Sequence, residues 1–201
     1  LDIGCGYGWH CAYAASRGAA HVLGIDPSEK MLAEAAARNA RPNIEYRLAA
    51  VEDFDWPEGE FDLAVSNLAL HYVADLDAVY AGVYRALKPG GTFVMSIEHP
   101  TFTAGVNEDW CYDGSGKILH WPVDNYFYPG ERKTLFVGCE VKKQHHTLAQ
   151  ILGGLLRAGF TLEDIDEARP SARALAELPE MADEMRRPMM LLVRAVKPRV
   201  S

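Results

Sequence analysis

The chain has 201 residues, 49% of them hydrophobic and 24% charged, the balance of one globular domain long enough to bury most of its apolar surface. Its 20 Lys+Arg against 28 Asp+Glu leave a formal net charge of −8, which repels a phosphate backbone or an anionic membrane and excludes nucleic acid as the primary partner. Four cysteines without CxxC spacing, no apolar stretch of the roughly 20 residues that cross a bilayer and no visible leader give a cytoplasmic location with reduced thiols as the expectation.

In chain order, "LDIG" reads as the tail of a buried strand and "WHCAYAASRG" as a helix closed by Gly18. "HVLGID" is a second strand ending at Asp26-Pro27-Ser28, where Ser28 N-caps the helix "EKMLAEAAARNA". "NIEYRLA" and "FDLAVSN" are strands three and four. "DLDAVYAGVYRALKPGG" is a helix with Val79, Val83 and Leu87 on one face, stopped by Pro89-Gly90-Gly91, and "TFVMSIE" is strand five. Strands separated by helices of this length imply βαβ units and a parallel sheet covered on both faces. From His99 to about Lys143 the pattern changes to aromatics, glycines and turn residues, with two extra strands expected around the "PGE" turn. A helix capped by Thr147 and Gly159, then two closing strands, "TLEDIDEA" and "MMLLVRAV", joined by a polar helical connection, complete the chain. We therefore divide one domain, residues 1–201, into a cofactor-binding half (1–98), an acceptor-side insertion (99–146) and a closing part (147–201).

In an open α/β sheet, ligands bind outside the carboxyl ends of the strands, beside the first. Here that end is the turn Gly4-Cys5-Gly6-Tyr7-Gly8, whose glycines let backbone turn tightly and approach a ligand. A dinucleotide fingerprint needs its third glycine at position 9, which is Trp, so a ligand without phosphates fits better than a nicotinamide dinucleotide. Asp26, ending strand two, sits where an acid accepts both hydroxyls of a ribose. The loop "AAVEDF" offers the Val51 N–H and the Glu52 or Asp53 side chain to an adenine edge, and "SNLALHYV" lines the floor.

"LDIGCGYGWHCAYAASRGAAHVLGIDPSEKML", "VEDFDWPEGEFDLAVSNLALHYV" and "ALKPGGTFVMSIEHP" together resemble the successive motifs of class I S-adenosylmethionine-dependent methyltransferases, of the type 11/25-like bacterial group. The resemblance covers roughly the first hundred residues. It implies a doubly wound, Rossmann-like, seven-stranded sheet, mostly parallel with the last strand antiparallel, plus an aromatic-rich insertion after strand five. It implies S-adenosylmethionine as cofactor and S-adenosylhomocysteine as product. Asp2, Gly4, Gly6 and Gly8 would hold the methionine portion, Asp26 with Pro27 the ribose, and Ala50, Val51 and Glu52 the adenine, with Asn67 and Leu68 near the sulfonium. Many members carry Asp at the position of Ala50, which cannot accept from the adenine amino group; Glu52 or a backbone carbonyl would take over. Members also place a helical segment before strand one, so an N-terminal segment is expected to be missing from this sequence.

A sulfonium needs no phosphate cradle, and methyl transfer depends on alignment more than on a catalytic triad. For a general base, His99 leads because the end of strand five places it at the cleft, with His71 and His146 as further candidates. Trp110, Tyr112, Trp121 and Tyr126 are expected to line an acceptor pocket, the alternative being core beneath a long loop. Adjacent histidines diverge on a strand and no acid or cysteine stands at metal spacing, so no metal is expected. The expected activity is methylation of a small molecule at O, N or C. The competing readings are a protein methyltransferase, whose acceptor side would be an open groove, and a catalytically silent S-adenosylmethionine-binding regulatory module.

Overall fold

A computed structural model describes residues 1–105, 107–136 and 138–199. The first half alternates as the spacing requires: β1 (Asp2–Ile3), α1 (Trp9–Ser16), β2 (Val22–Asp26), α2 (Glu29–Asn39), β3 (Ile44–Leu48), β4 (Phe61–Asn67), α3 (Leu76–Ala86) and β5 (Leu87–Glu98). Then come α4 (Pro100–Thr103), β6 (Cys111–Tyr112), β7 (Ile118–His120), β8 (Gly130–Phe136), β9 (Cys139–His145), α5 (Leu148–Arg157), β10 (Thr161–Glu167), α6 (Ala172–Glu177) and β11 (Met190–Val196). A 3-10 segment, Pro179–Arg186, completes the helical connection before β11.

Seven strands form one sheet in the order β10-β11-β5-β4-β1-β2-β3. β11, the last in sequence, runs antiparallel to both β5 and β10, whereas the pairs among β1 to β5 are parallel. All five residues of β2 are buried, the mark of a strand covered on both faces. From α3, Leu76, Val79, Tyr80, Val83 and Ala86 enter a core shared with Phe93, Met95 and Ile97 of β5. The helix starts where the Asp75 carboxylate accepts the Ala78 N–H, and α5 starts on a reciprocal Thr147–Gln150 capping box. Among the described residues, no helix is long and apolar enough to cross a membrane.

Two expectations are corrected. The helix before β5 ends at Ala86, and Leu87 opens the strand instead; pairing jumps from Phe61–Leu87 to Leu63–Thr92, so Lys88–Gly91 loops out of the ladder. Leu87 is fully buried in either element, which is why its helical spacing misled. Secondly, "PGE" is not the hairpin turn. Pro129, without an N–H, precedes the strand that Gly130 opens, and β8 and β9 close by pairing Phe136 with Cys139. A small β6–β7 hairpin, unforeseen, turns where the Asp113 carboxylate accepts the Ser115 and Lys117 N–H groups.

Candidate active site

The carboxyl ends of β1, β2 and β4 open around the glycine turn, and each glycine there answers a different demand. All three have left-handed φ: +70° at Gly4, +52° at Gly6 and +79° at Gly8. A Cβ on Gly4 would strike the Ala69 Cβ, and one on Gly8 would strike the Tyr46 hydroxyl and ring. A Cβ on Gly6 would meet nothing within 4 Å, so of the three this residue alone presents bare backbone to open space. Its N–H donates to Asp26 Oδ2 at 2.9 Å, while the Ser28 N–H donates to Oδ1 at 2.9 Å. Each carboxylate oxygen keeps a further lone pair.

Gly4, Gly6, Asp26, Pro27, Val51 and Glu52 line a cavity of about 430 Å³. Ile25, Met31, Ala49, Leu68, Leu70 and Tyr72 add an apolar slot suited to a flat ring, beside a carboxylate suited to hydroxyls. The cavity accommodates a nucleoside: the space is open where Gly6 lacks a Cβ, and Asp26 retains acceptor capacity there. Ala49, unforeseen, lines this cavity where Ala50 does not; Ala50 instead caps the 3-10 turn Val51–Asp53.

Besides Ala50, three expected cofactor residues stand apart. Gly8 shapes the start of α1 against Tyr46. Asn67 is exposed, and its Oδ1 accepts from the Ser96 hydroxyl at 2.6 Å. Asp2 lies in a different cavity with His10 and Cys11, where its Oδ2 accepts from the Cys11 thiol and burial pushes its pKa up. Trp9 does not enter the space between α1 and the sheet. It is 52% exposed and stacks on Tyr13, and Gly24 supplies the closeness instead, since a Cβ there would lie 2.8 Å from Cys11 Sγ.

Gly6, Met31, Leu68 and Tyr72 also wall a second cavity of about 1050 Å³, so the two chambers adjoin. Its charged centre is Lys143 of β9, whose Nζ lies 2.6 Å from Glu98 Oε1 and 3.2 Å from Glu108 Oε2. The three side chains are 3%, 13% and 10% exposed. Burial pushes the Glu98 carboxyl up while Lys143 restrains it; burial works against the Lys143 ammonium, but the two carboxylates outweigh it and raise its pKa. His71 stands with its Nε2 4.0 Å from Glu98 Oε1, and burial together with the Lys143 charge lowers its pKa to about 3, so it is neutral at physiological pH. Among the described residues, Glu98 Oε2, Glu108 Oε1 and His71 Nδ1 are buried without a hydrogen-bond partner. Two non-glycine residues with left-handed φ, Leu68 (+53°) and Glu108 (+49°), line this chamber.

Of the histidines proposed as base, only His71 lines a chamber. His99 caps α4, its Nδ1 accepting the Thr101 N–H at 3.0 Å, while its Nε2 lies 2.9 Å from Glu167 Oε1, poorly aligned for a hydrogen bond. It is thus a buried joint outside both chambers, and the expectation for His99 is corrected. Neighbours on a strand point to opposite faces, and it is Glu98 that enters. His146 is a second joint, its Nε2 held at 2.8 Å from the Val73 carbonyl.

The expected aromatic lining is corrected as well. Trp110 and Trp121 line a separate pocket of about 280 Å³ and, with Phe102, enclose the Arg187 guanidinium at 5.1, 4.4 and 5.0 Å from the ring centroids. The Tyr126 hydroxyl accepts the Leu148 N–H, and the exposed Tyr112 donates to Asp109. Tyr7, Tyr72 and Phe102 are, with the His71 ring, the aromatics that line the large chamber. Glu98, Glu108 and Lys143 were missed; only the position of Glu98 at the end of a parallel strand could have found one of them.

A methyltransferase-domain family profile matches residues 1–95. A solved chain from Listeria monocytogenes, assigned to the S-adenosylmethionine-dependent methyltransferases, is 46% identical, with a TM-score of 0.93 over 99% of this chain and 89% of that one. An S-adenosylmethionine-dependent methyltransferase from Mesorhizobium loti is 44% identical, with a TM-score of 0.90 over 97% of this chain and 89% of the other. An uncharacterized methyltransferase of Synechocystis sp. is 41% identical over 166 residues, 81% of this chain and 66% of the relative's length. With the seven-stranded topology, the glycine turn and the nucleoside-sized chamber beside it, the chain belongs to the class I S-adenosylmethionine-dependent methyltransferases.

Proposed function

We propose that the protein methylates a small molecule held in the larger chamber, and that Gly4, Gly6, Asp26, Pro27, Val51 and Glu52 hold the cofactor in the smaller one. The observation that carries this reading is the common wall: Gly6, Met31, Leu68 and Tyr72 border both chambers. S-adenosylmethionine, when bound, supplies an electrophilic methyl group on a sulfonium. The protein's own part is alignment and exclusion of water. Asp26 accepts hydrogen bonds from the ribose hydroxyls, the Ala49–Glu52 segment flanks the adenine, and the Gly6 backbone allows the methionine portion past the turn. Asp2 acts from behind the turn, through Cys11 and the start of α1. Leu68, one of the four residues that border both chambers, would lie beside the reacting centre.

The buried charged floor of the larger chamber favours a small molecule over a protein side chain. An acidic chain with free cysteines fits the cytoplasm. The test begins with calorimetry of S-adenosylhomocysteine, followed by transfer of tritiated methyl from S-adenosylmethionine into a size-fractionated bacterial extract. Label is expected in the low-mass fraction. Label confined to protein would overturn the small-molecule reading, and absence of S-adenosylhomocysteine binding would overturn the cofactor site.

A further inference from the structure

The large chamber has an uneven charge balance. Glu98 and Glu108 contribute two carboxylates and Lys143 one ammonium, so the centre carries one uncompensated negative charge. The other charged lining residues, Lys133 and Glu140, pair with each other at 3.4 Å and cancel. Each carboxylate turns one oxygen to Lys143 and keeps the other buried with no partner among the described residues. His71, whose side chain is 4% exposed, adds a third such atom in Nδ1. With the Glu98 carboxylate nearer to Nε2, the neutral ring places its proton there and leaves a lone pair on Nδ1. These three acceptor atoms belong to residues that line one chamber, and buried acceptors without donors are costly unless a ligand supplies them. Beside them Phe102 and Tyr72 form an aromatic wall.

We propose that this chamber recognises a small molecule through a protonated nitrogen group, held by Glu98 and Glu108 with its apolar part against Phe102 and Tyr72. Lys143 is a positioning residue that keeps the two carboxylates apart and aimed. The proposal rests on the methyl-transfer reading above and deepens it. An alternative duty, attraction of the cofactor's own sulfonium, fits less well, because Glu98, Glu108, His71 and Lys143 border only the larger chamber.

The probes are phenethylamine, phenethyl alcohol and phenylacetate, which share ring and length and differ in charge. Each is titrated by ligand-observed NMR into the full chain saturated with S-adenosylhomocysteine. Phenethylamine is expected to bind about ten- to hundredfold more tightly than the alcohol, the scale of a buried charge-assisted hydrogen bond, and phenylacetate not at all. Glu108→Gln and Glu98→Gln, each preserving shape, should erase most of that preference while leaving S-adenosylhomocysteine affinity within about twofold, which also shows that the variants fold. Equal binding of amine and alcohol, tighter binding of phenylacetate, no binding of the amine at roughly 10 mM, or an amine preference retained in both variants would overturn the proposal. So would a selective loss of S-adenosylmethionine affinity relative to S-adenosylhomocysteine in the variants, which would assign the carboxylates to the sulfonium. Loss of S-adenosylhomocysteine binding by the unaltered chain is a separate outcome and would undo the underlying reading instead.

Discussion

Asp26→Asn separates the scaffold duty of this carboxylate from the cofactor duty proposed for it. The side chain takes two backbone donors at once, the Gly6 N–H on Oδ2 and the Ser28 N–H on Oδ1, both at 2.9 Å. Asparagine has one acceptor oxygen, so one of these N–H groups must face an amide NH₂. Losing a hydrogen bond to a charged acceptor costs about 1.5–3 kcal/mol, and for a domain of this size each kcal/mol moves the melting temperature by about 2–4 °C. Calorimetry of the ligand-free variant should therefore show melting lowered by about 3–12 °C. If a ribose also leans on Asp26, S-adenosylhomocysteine affinity should fall by about ten- to hundredfold, measured by titration calorimetry at a temperature where the variant is fully folded. A variant that melts early yet binds S-adenosylhomocysteine normally would refute the ribose assignment and leave Asp26 as a brace for the turn. Unchanged melting would refute the bracing as well.

Gly8→Ala combines left-handed backbone with a Cβ driven into Tyr46 and should cost about 2–4 kcal/mol by urea unfolding, whereas Gly6→Ala, with open space, should cost only about 1–2. Gly6→Ala should nevertheless be the more damaging to S-adenosylhomocysteine affinity; the opposite order would mean that Gly6 does not face the ligand. Arg187→Ala removes a cation enclosed by three rings and chelated by Glu184, and should cost about 3 kcal/mol with a shift in tryptophan emission. Arg187→Lys should not rescue it, because the planar guanidinium provides both the stacking and the two-pronged contact; full rescue would show that charge alone suffices. The pH dependence of stability should carry the mark of His71. Its folded pKa of about 3 lies below its ordinary 6.5, so the unfolded chain binds the extra proton and the stabilisation from keeping the ring neutral drains away as pH falls from 6.5 towards 3. At about 1.4 kcal/mol per pH unit the His71 share is on the order of 4–5 kcal/mol, and His71→Asn should flatten the curve by that amount. Parallel curves for the two proteins would show that the ring is not buried neutral.

What the sequence made legible is what depends on local pattern. Strand–helix alternation specified the parallel sheet, and the glycine turn with Asp26 at the next strand end pointed to the smaller chamber, which we propose holds the cofactor. Where one residue decides a face, legibility failed: Glu98 and His99 are neighbours on the chain, yet one enters the chamber and the other caps a helix turn. Pattern was also silent on partners brought together by packing. Lys143 meets Glu98 across 45 residues and Glu108 across 35, a meeting set by the β8–β9 register that a Pro-Gly pair at 129–130 does not specify. The aromatic segment was read as lining because aromatics suit ligands. Arg187, arriving much later in the chain, drew Trp110 and Trp121 into a cage of their own.

The left-handed turn at Leu68 sets stability against chemistry. The backbone is held there by Ser96, whose carbonyl and hydroxyl both receive the Leu68 N–H, at 3.0 and 3.2 Å. Glycine or asparagine would relax that conformation by roughly 1 kcal/mol, so a selection for heat resistance alone should find Leu68→Gly and Leu68→Asn among its winners. The same variants would lose a side chain that borders both the chamber proposed for the methyl donor and the one proposed for the acceptor. Laboratory evolution for robustness would then drift towards a sturdier protein with a leakier reaction vessel, in which water competes for space beside the methyl group.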